Sequence, residues 1–262
     1  ISFKEIKKIF AFSKKKKIKL LDTALSYQNS EILNQFNLKK WKIVTKVNCS
    51  DPDRKDYLIN LRKNLNILNF YGVLIHLKNK KEILSKGNVN LYNLLKDLKK
   101  KKIIKKIGFS IYSPEDVKMI IKNFDMDFLQ CPINVLDTRL VDQGLLKKLK
   151  KKKIEIHARS IFLQGALLRK HNNLPKVLRP WLNIFKTWEN YTKYLKISKL
   201  EACICFVKQF KEIDKIIIGI ENTKQLNQVC KAFNKKKKIN FNKTYFIKKK
   251  NFTKLIDPRK WN

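Results

Sequence analysis

Short apolar runs alternate with amphipathic, lysine-studded segments along this chain, and that alternation constrains the fold more than any other feature. The apolar runs fall at 18–24, 42–47, 71–77, 105–111, 128–134, 154–161 and 215–220. Helical patterns lie at about 3–15, 29–38, 53–68, 89–101, 114–123, 139–151, 180–210 and 223–234. Within 53–68, Leu58, Leu61, Leu65 and Leu68 recur at helical spacing with Lys and Arg on the other face. Ser113-Pro114-Glu115-Asp116 reads as an N-cap, a first-turn proline and first-turn acids. Repeated strand-then-helix order predicts a parallel sheet with right-handed crossovers. No Gly/Pro/Ser-rich linker divides the chain, so a single domain over 1–262 is expected, with 235–262 as a C-terminal tail. Its 262 residues suit an α/β architecture of the (β/α)8 TIM-barrel kind, typically about 250 residues. Seven of the eight barrel strands are visible. The count leaves one strand to be supplied before Ile1, the record beginning late or the gene being truncated.

Composition bears on what such a chain can do. Apolar residues make up 44% and aromatics 11%, enough to bury a core and to exclude global disorder despite 31% charged residues. No run approaches the roughly 18 to 20 apolar residues of a membrane span. Five cysteines at irregular spacing point to reduced thiols and a cytoplasmic setting. The formal charge is +40, which raises polyanion binding as one reading and a lysine-rich coding bias as another. Position favours the second. The runs Lys14–Lys17, Lys99–Lys102 and Lys150–Lys153 each close a helical pattern just before an apolar run; a fourth spans Lys235–Lys238. Cations suit helix C-termini, and in a βα protein those turns lie opposite the ligand face. No aromatics interleave with the lysines, as a single-strand binding surface would want. No specific nucleic-acid partner is expected.

Four polar residues sit at or just beyond the ends of successive predicted strands: Asp22, Tyr27, Lys46 and His76. Singly, each has an ordinary structural reading: a cap, a loop aromatic, one lysine of many, a satisfied core histidine. Together they form a chemical unit. A phenol near pKa 10 becomes a usable proton donor when a buried ammonium lowers its pKa. An aspartate can hold that ammonium charged, and a histidine can orient a carbonyl. This is equipment for protonating a carbonyl oxygen while hydride arrives at carbon.

The segment Asp22-Thr23-Ala24-Leu25-Ser26-Tyr27-Gln28-Asn29-Ser30-Glu31 resembles a signature of the aldo-keto reductases. Val44-Thr45-Lys46 and Leu74-Ile75-His76 supply that family's lysine and histidine in order. Lys106-Ile107-Gly108-Phe109-Ser110, Gln130-Cys131-Pro132-Ile133-Asn134, Ala158-Arg159-Ser160-Ile161-Phe162-Leu163-Gln164-Gly165 and Ile217-Ile218-Gly219 extend the resemblance. The Arg-Ser-Ile-Phe-Leu-Gln-Gly stretch and the closing Asp257-Pro258-Arg259-Lys260-Trp261 are similar to a bacterial branch linked with surface-polysaccharide sugar metabolism.

The resemblance implies a TIM barrel that binds NADP or NAD, NADPH slightly favoured, and reduces a small-molecule aldehyde or ketone, sugar derivatives included. Tyr27 would be the acid, Lys46 and Asp22 would tune it, and His76 would orient the carbonyl. Ser110 and Gln130 would bond the nicotinamide carboxamide. Arg159 and Ser160 would line the cofactor site, Arg159 stacking on the nicotinamide, pairing a substrate anion or pairing a carboxylate at the barrel mouth. Gly219 to Leu226, with Lys224 and Gln225, would meet the adenosine phosphates, and no metal is implied. Departures are Gln28 beside Tyr27, Ile111 after Ser110, and Gln225 where many members have an Arg. Two rival readings remain: a non-catalytic cofactor-binding barrel, and a polyanion binder.

Overall fold

The computed structural model describes residues 1–24, 31–50, 53–77, 79–243 and 252–261. Seven strands run in sequence order through one sheet: β1 (Leu20–Asp22), β2 (Lys42–Val47), β3 (Gly72–His76), β4 (Ile107–Ser110), β5 (Phe128–Pro132), β6 (Glu155–Arg159) and β7 (Lys215–Ile216). Every predicted strand is present; β2 matches its apolar run and the others are shorter than theirs. The pairings from β1 through β5 are all parallel.

The α-helices among the described residues are α1 (Phe3–Lys15), α2 (Arg54–Asn64), α3 (Lys86–Lys100), α4 (Pro114–Asn123), α5 (Arg139–Asp142), α6 (Leu145–Lys151), α7 (Leu182–Tyr194), α8 (Lys199–Lys208), α9 (Thr223–Phe233) and α10 (Phe252–Leu255). The α4 start follows the sequence reading. Ser113 caps it, Asp116 completes a capping box, and Pro114 stands in the first turn. Four helical predictions need correction. The 53–68 pattern ends with α2 at Asn64, and Leu68, expected on its apolar face, lies beyond it and is 88% exposed. In 29–38 the described residues hold only a 3-10 turn, Glu31–Gln35. The stretch 139–151 breaks at Gly144, whose φ of 65° leaves the helical region. The stretch 180–210 breaks between Tyr194 and Lys199, where Lys196 turns left-handed and Ser198 opens α8 with a capping box to Glu201. None of these helices is long and apolar enough to cross a membrane.

The chain forms two compact units, Ile1–Cys131 with Leu145–His157, and Pro132–Gly144 with Ala158–Asn262. In the first, alternate residues of β1–β5 share a face. Val44, Leu74 and Phe128 form its apolar layer, with Leu20 and Tyr71 packed against them. The Phe128 ring lies over Gly72 and Gly108. A Cβ on Gly72 would stand 2.5 Å from the ring, and one on Gly108 would stand 2.3 Å from the Phe128 carbonyl oxygen. Glycine is required there by close approach rather than by a turn. The opposite face carries Ile43, Val73, Ile75, Phe109 and Leu129, all fully buried, and α3 packs over β3 and β4 through Leu91, Leu95 and Leu98.

Toward the N-terminal ends of the strands the first face becomes polar again. Tyr71 donates to Glu155 at 2.7 Å, Lys106 donates to Tyr71 at 3.0 Å and also pairs with Glu155. His157, fully buried, lies 2.9 Å from the other Glu155 oxygen. An ionised carboxylate only accepts, so His157 carries its hydrogen on Nε2. Burial alone would raise the Glu155 pKa; the hydrogen bonds from His157, Lys106 and Tyr71 outweigh it and hold the carboxyl well below the usual range.

In the second unit, Trp188 is buried and donates to the Leu167 carbonyl at 3.0 Å. Of the aromatics predicted on one helical face, Phe185 and Trp188 are buried in α7. Cys203 and Cys205 are buried in α8. Part of the tail is laid along α7 and α8. Ile239 exchanges hydrogen bonds with Gln209, the Asn240 N–H donates to Tyr191, and Phe241 meets Trp188 edge-on.

Five helices end alike. After α1, α2, α3, α6 and α7 a left-handed residue (Lys17, Asn66, Lys102, Lys153, Lys196; φ 48° to 59°) precedes an isoleucine. The N–H of Ile18, Ile67, Ile103, Ile154 or Ile197 then reaches the carbonyl five residues back at 2.9–3.2 Å. This is the Schellman closure, in which the left-handed position usually belongs to glycine. With only six glycines in the chain, four lysines and one asparagine occupy it. The lysine runs thus sit at exposed helix ends, as the sequence suggested.

Two outcomes follow from these contacts. Lys102→Gly should stabilise the protein by about 1 kcal/mol in urea unfolding, because a left-handed side chain costs roughly that much; a loss of stability would refute the closure. Glu155 has a depressed folded-state pKa, so its contribution is present above its unfolded value near 4.5 and fades as pH falls. Glu155→Gln should therefore lower the midpoint strongly at pH 7 and less at pH 3. An equal loss at both would count against the charged network.

Candidate active site

Strand register assembles the site. Asp22 pairs with Val44, Lys46 with Leu74, His76 with Ser110, and Ser110 with Gln130. Side chains two apart on a strand share a face, so Asp22, Lys46, His76, Ser110 and Gln130 project from the same face at the C-terminal ends of β1–β5. They stand above the Val44–Leu74–Phe128 layer. Tyr27 lies outside the described residues.

Lys46 is only 7% exposed. Its ammonium pairs with Asp22 Oδ1 and donates to the Thr23 carbonyl at 3.3 Å. The second Asp22 oxygen accepts from Gln130 Nε2 at 2.8 Å. Both carboxylate oxygens are therefore engaged, one by a cation and one by an amide. Gln130, assigned from the resemblance to a cofactor amide, has a partner here within the ion pair. Such a pair offsets its desolvation only with further hydrogen bonds, which the Thr23 carbonyl and the Gln130 amide supply.

Ser110 is fully buried, and its Oγ has no hydrogen-bond partner among the described residues. Leaving a buried hydroxyl unsatisfied costs about 1–3 kcal/mol. A ligand amide reaching this face would satisfy it, so Ser110 fits the carboxamide of a nicotinamide. His76 Nε2 lies 3.5 Å from the Tyr112 hydroxyl, and the Asn48 amide donates to the His76 carbonyl at 2.9 Å.

In the second unit, half-buried Arg159 ends β6 and donates to Ser160 Oγ at 3.1 Å. Ser160 itself is left-handed, φ 55°, and its carbonyl accepts from Asn134. Gly219 follows β7, with open space where a side chain would stand. Asn222 caps α9 by accepting from the Gln225 N–H at 2.9 Å, while Gln225 Oε1 accepts from the Glu221 N–H at 2.9 Å. Lys224 is exposed in the first turn of α9.

Sequence reasoning missed Asn48, Tyr112 and Asn222. A period-two argument could have found the first two, since Asn48 follows Lys46 by two residues and Tyr112 follows Ser110 by two. Asn222 and Gln225 have capping-box spacing.

The family model for the aldo/keto reductases matches residues 5–245. The chain belongs to the aldo/keto reductase family. Solved structures share the fold. The holo form of aldo-keto reductase AKR11C1 from Bacillus halodurans is 15% identical, with 97% of this chain and 88% of that one covered, at a TM-score of 0.72. The glycerol dehydrogenase AKR11B4 from Gluconobacter oxydans is 17% identical over 87% and 80%, at 0.66. An aldo/keto reductase from Klebsiella pneumoniae, solved with NADP and acetate, is 14% identical over 84% and 76%, at 0.62. No curated protein matches the chain.

Removing one partner of the buried pair tests its coupling. Lys46→Met should cost about 3 kcal/mol, because it leaves the Asp22 carboxylate buried without its cation. Adding Asp22→Asn should restore much of that loss. Strict additivity in urea unfolding would show that the two charges do not depend on each other.

Proposed function

We propose that this oxidoreductase reduces an aldehyde or ketone with NAD(P)H, NADPH favoured, and that Tyr27 is the proton donor. The observation that carries the reading is the buried Lys46–Asp22 pair, braced by Gln130 on the face that also presents His76 and the orphaned Ser110 hydroxyl. A bound reduced nicotinamide supplies the hydride.

The chain's own residues handle the proton and the orientation. Lys46 keeps its charge because Asp22 compensates it, and an ammonium beside a phenol lowers the phenol's pKa toward neutrality. Tyr27, five residues beyond Asp22, then gives its hydroxyl proton to the carbonyl oxygen as that oxygen becomes an alkoxide; solvent returns the proton afterwards. His76 Nε2–H donates to the same oxygen and fixes the carbonyl's direction. Ser110 holds the carboxamide, and Arg159 and Ser160 belong to the cofactor's second contact region. Gly219, Lys224, Gln225 and the capped start of α9 meet the adenosine phosphates, where exposed Lys224 favours an additional phosphate. The NADP in the Klebsiella pneumoniae structure supports the same preference. Small-molecule sugar carbonyls are the substrate class suggested by the Arg159–Gly165 stretch and the Asp257–Trp261 ending, within a cytoplasmic setting.

Tyr27→Phe should lower carbonyl reduction by roughly 10²- to 10⁴-fold, the usual worth of a positioned acid, with NADPH affinity nearly unchanged. NADPH oxidation against a panel of aldehydes and ketones, beside fluorescence titration of the cofactor, measures both. Turnover surviving that substitution would remove Tyr27 from the mechanism.

A further inference from the structure

We infer that Tyr112 is a positioning residue for His76, its phenol oxygen accepting from His76 Nε2–H and holding the imidazole edge toward the reacting face. The inference rests on the reductase reading and goes beyond it.

Three observations converge. First, the Tyr112 hydroxyl and His76 Nε2 are 3.5 Å apart, and the two rings meet edge-on at 5.9 Å and 77°. Second, the main chain beneath Tyr112 is fixed. Its N–H donates to Asp116 Oδ2 at 3.0 Å, the Ser113 N–H donates to the same oxygen at 2.9 Å, and the Ser113 hydroxyl accepts from the Asp116 N–H at 3.3 Å. Tyr112 is thus anchored to the first turn of α4 rather than carried on a free loop. Third, the main chain of His76 is fixed from the other side. Asn48 Nδ2 donates to the His76 carbonyl at 2.9 Å, while Asn48 Oδ1 accepts from the Ser50 N–H at 2.8 Å and the Ser50 hydroxyl at 2.7 Å.

With its backbone held by Asn48, the His76 ring can still turn about its side-chain bonds. A phenol at Nε2 restrains that rotation, and where the phenol oxygen accepts, the imidazole carries its hydrogen on Nε2. That tautomer can donate to a carbonyl. An arriving carbonyl oxygen shares or displaces the phenol at a hydrogen already aimed at it. Misaim of about 1 Å costs a reaction on the order of 10²-fold, so a loosened imidazole should cost part of that.

The experiment pairs a titration with kinetics. Tyr112→Phe keeps the ring and removes the oxygen. An acceptor at Nε2 favours the charged imidazolium, so the His76 titration midpoint followed by NMR, assigned by its loss in His76→Gln, should fall by roughly half a unit in Tyr112→Phe. The same variant should lower kcat/KM for carbonyl reduction about tenfold with NADPH affinity unchanged, and should add nothing in a His76→Gln background. An unmoved or raised midpoint overturns the contact whatever the turnover. A fallen midpoint with a full additional loss in the double variant overturns the positioning role. Absence of carbonyl turnover in the unsubstituted protein would strike the reductase reading instead, and the midpoint would still decide whether Tyr112 holds His76.

Discussion

Parallel register is the constraint on which the described site depends. Each strand from β1 to β5 sends every second side chain to one face, and the pairings bring Asp22, Lys46, His76, Ser110 and Gln130 into a row. A slip of one residue in any pairing would turn that strand's site residue to the opposite, helix-packed face. The register is held by shape below the site. Phe128 occupies the space over Gly72 and Gly108 so closely that no side chain fits at either glycine. The two glycines, the phenylalanine and the tilted stack of Val44 and Leu74 therefore set where the polar row can stand.

That apolar layer also separates two polar clusters on one face. Toward the C-terminal ends of the strands, Lys46, Asp22 and Gln130 satisfy one another but leave the Ser110 hydroxyl without a partner. Toward the N-terminal ends, Lys106, Tyr71 and His157 surround the Glu155 carboxylate with donors, while His157 Nδ1 has no partner among the described residues. The lower cluster surrounds its single acceptor with donors and has a stabilising role. The upper one retains the unpartnered Ser110 hydroxyl, the kind of group that a ligand completes.

Much of this was legible in the sequence, for identifiable reasons. All seven strands could be read because apolar runs rich in branched residues stood between amphipathic segments. Asp22, Lys46 and His76 could be read because strand ends fall where apolar runs stop. The α4 cap could be read because Ser113, Pro114 and Asp116 each have a positional meaning. The misread helices failed through backbone conformation that composition hides. Lys196 turns left-handed without being glycine, so 180–210 looked continuous although Ser198 and Glu201 already spelled a capping box. Period-two spacing places Asn48 and Tyr112 on the site's face, but their contacts to His76, 28 and 36 residues away, come only from the fold.

The lysine runs show how a compositional pressure and a structural rule can meet. A helix end needs a left-handed residue to close, and glycine supplies it at least cost. Here lysine stands at that position after α1, α3, α6 and α7, and the closing hydrogen bond from the following isoleucine still forms. Each substitution costs about 1 kcal/mol of backbone strain. Part of that cost is offset because a cation lies beside the last carbonyls, at the negative end of the helix dipole. The isoleucines, buried or half-buried, add the apolar contact that usually accompanies this closure. A sequence poor in glycine can thus keep a βα architecture where its turns tolerate lysine, and it keeps glycine at 72 and 108, where a backbone and a ring leave no room for anything else.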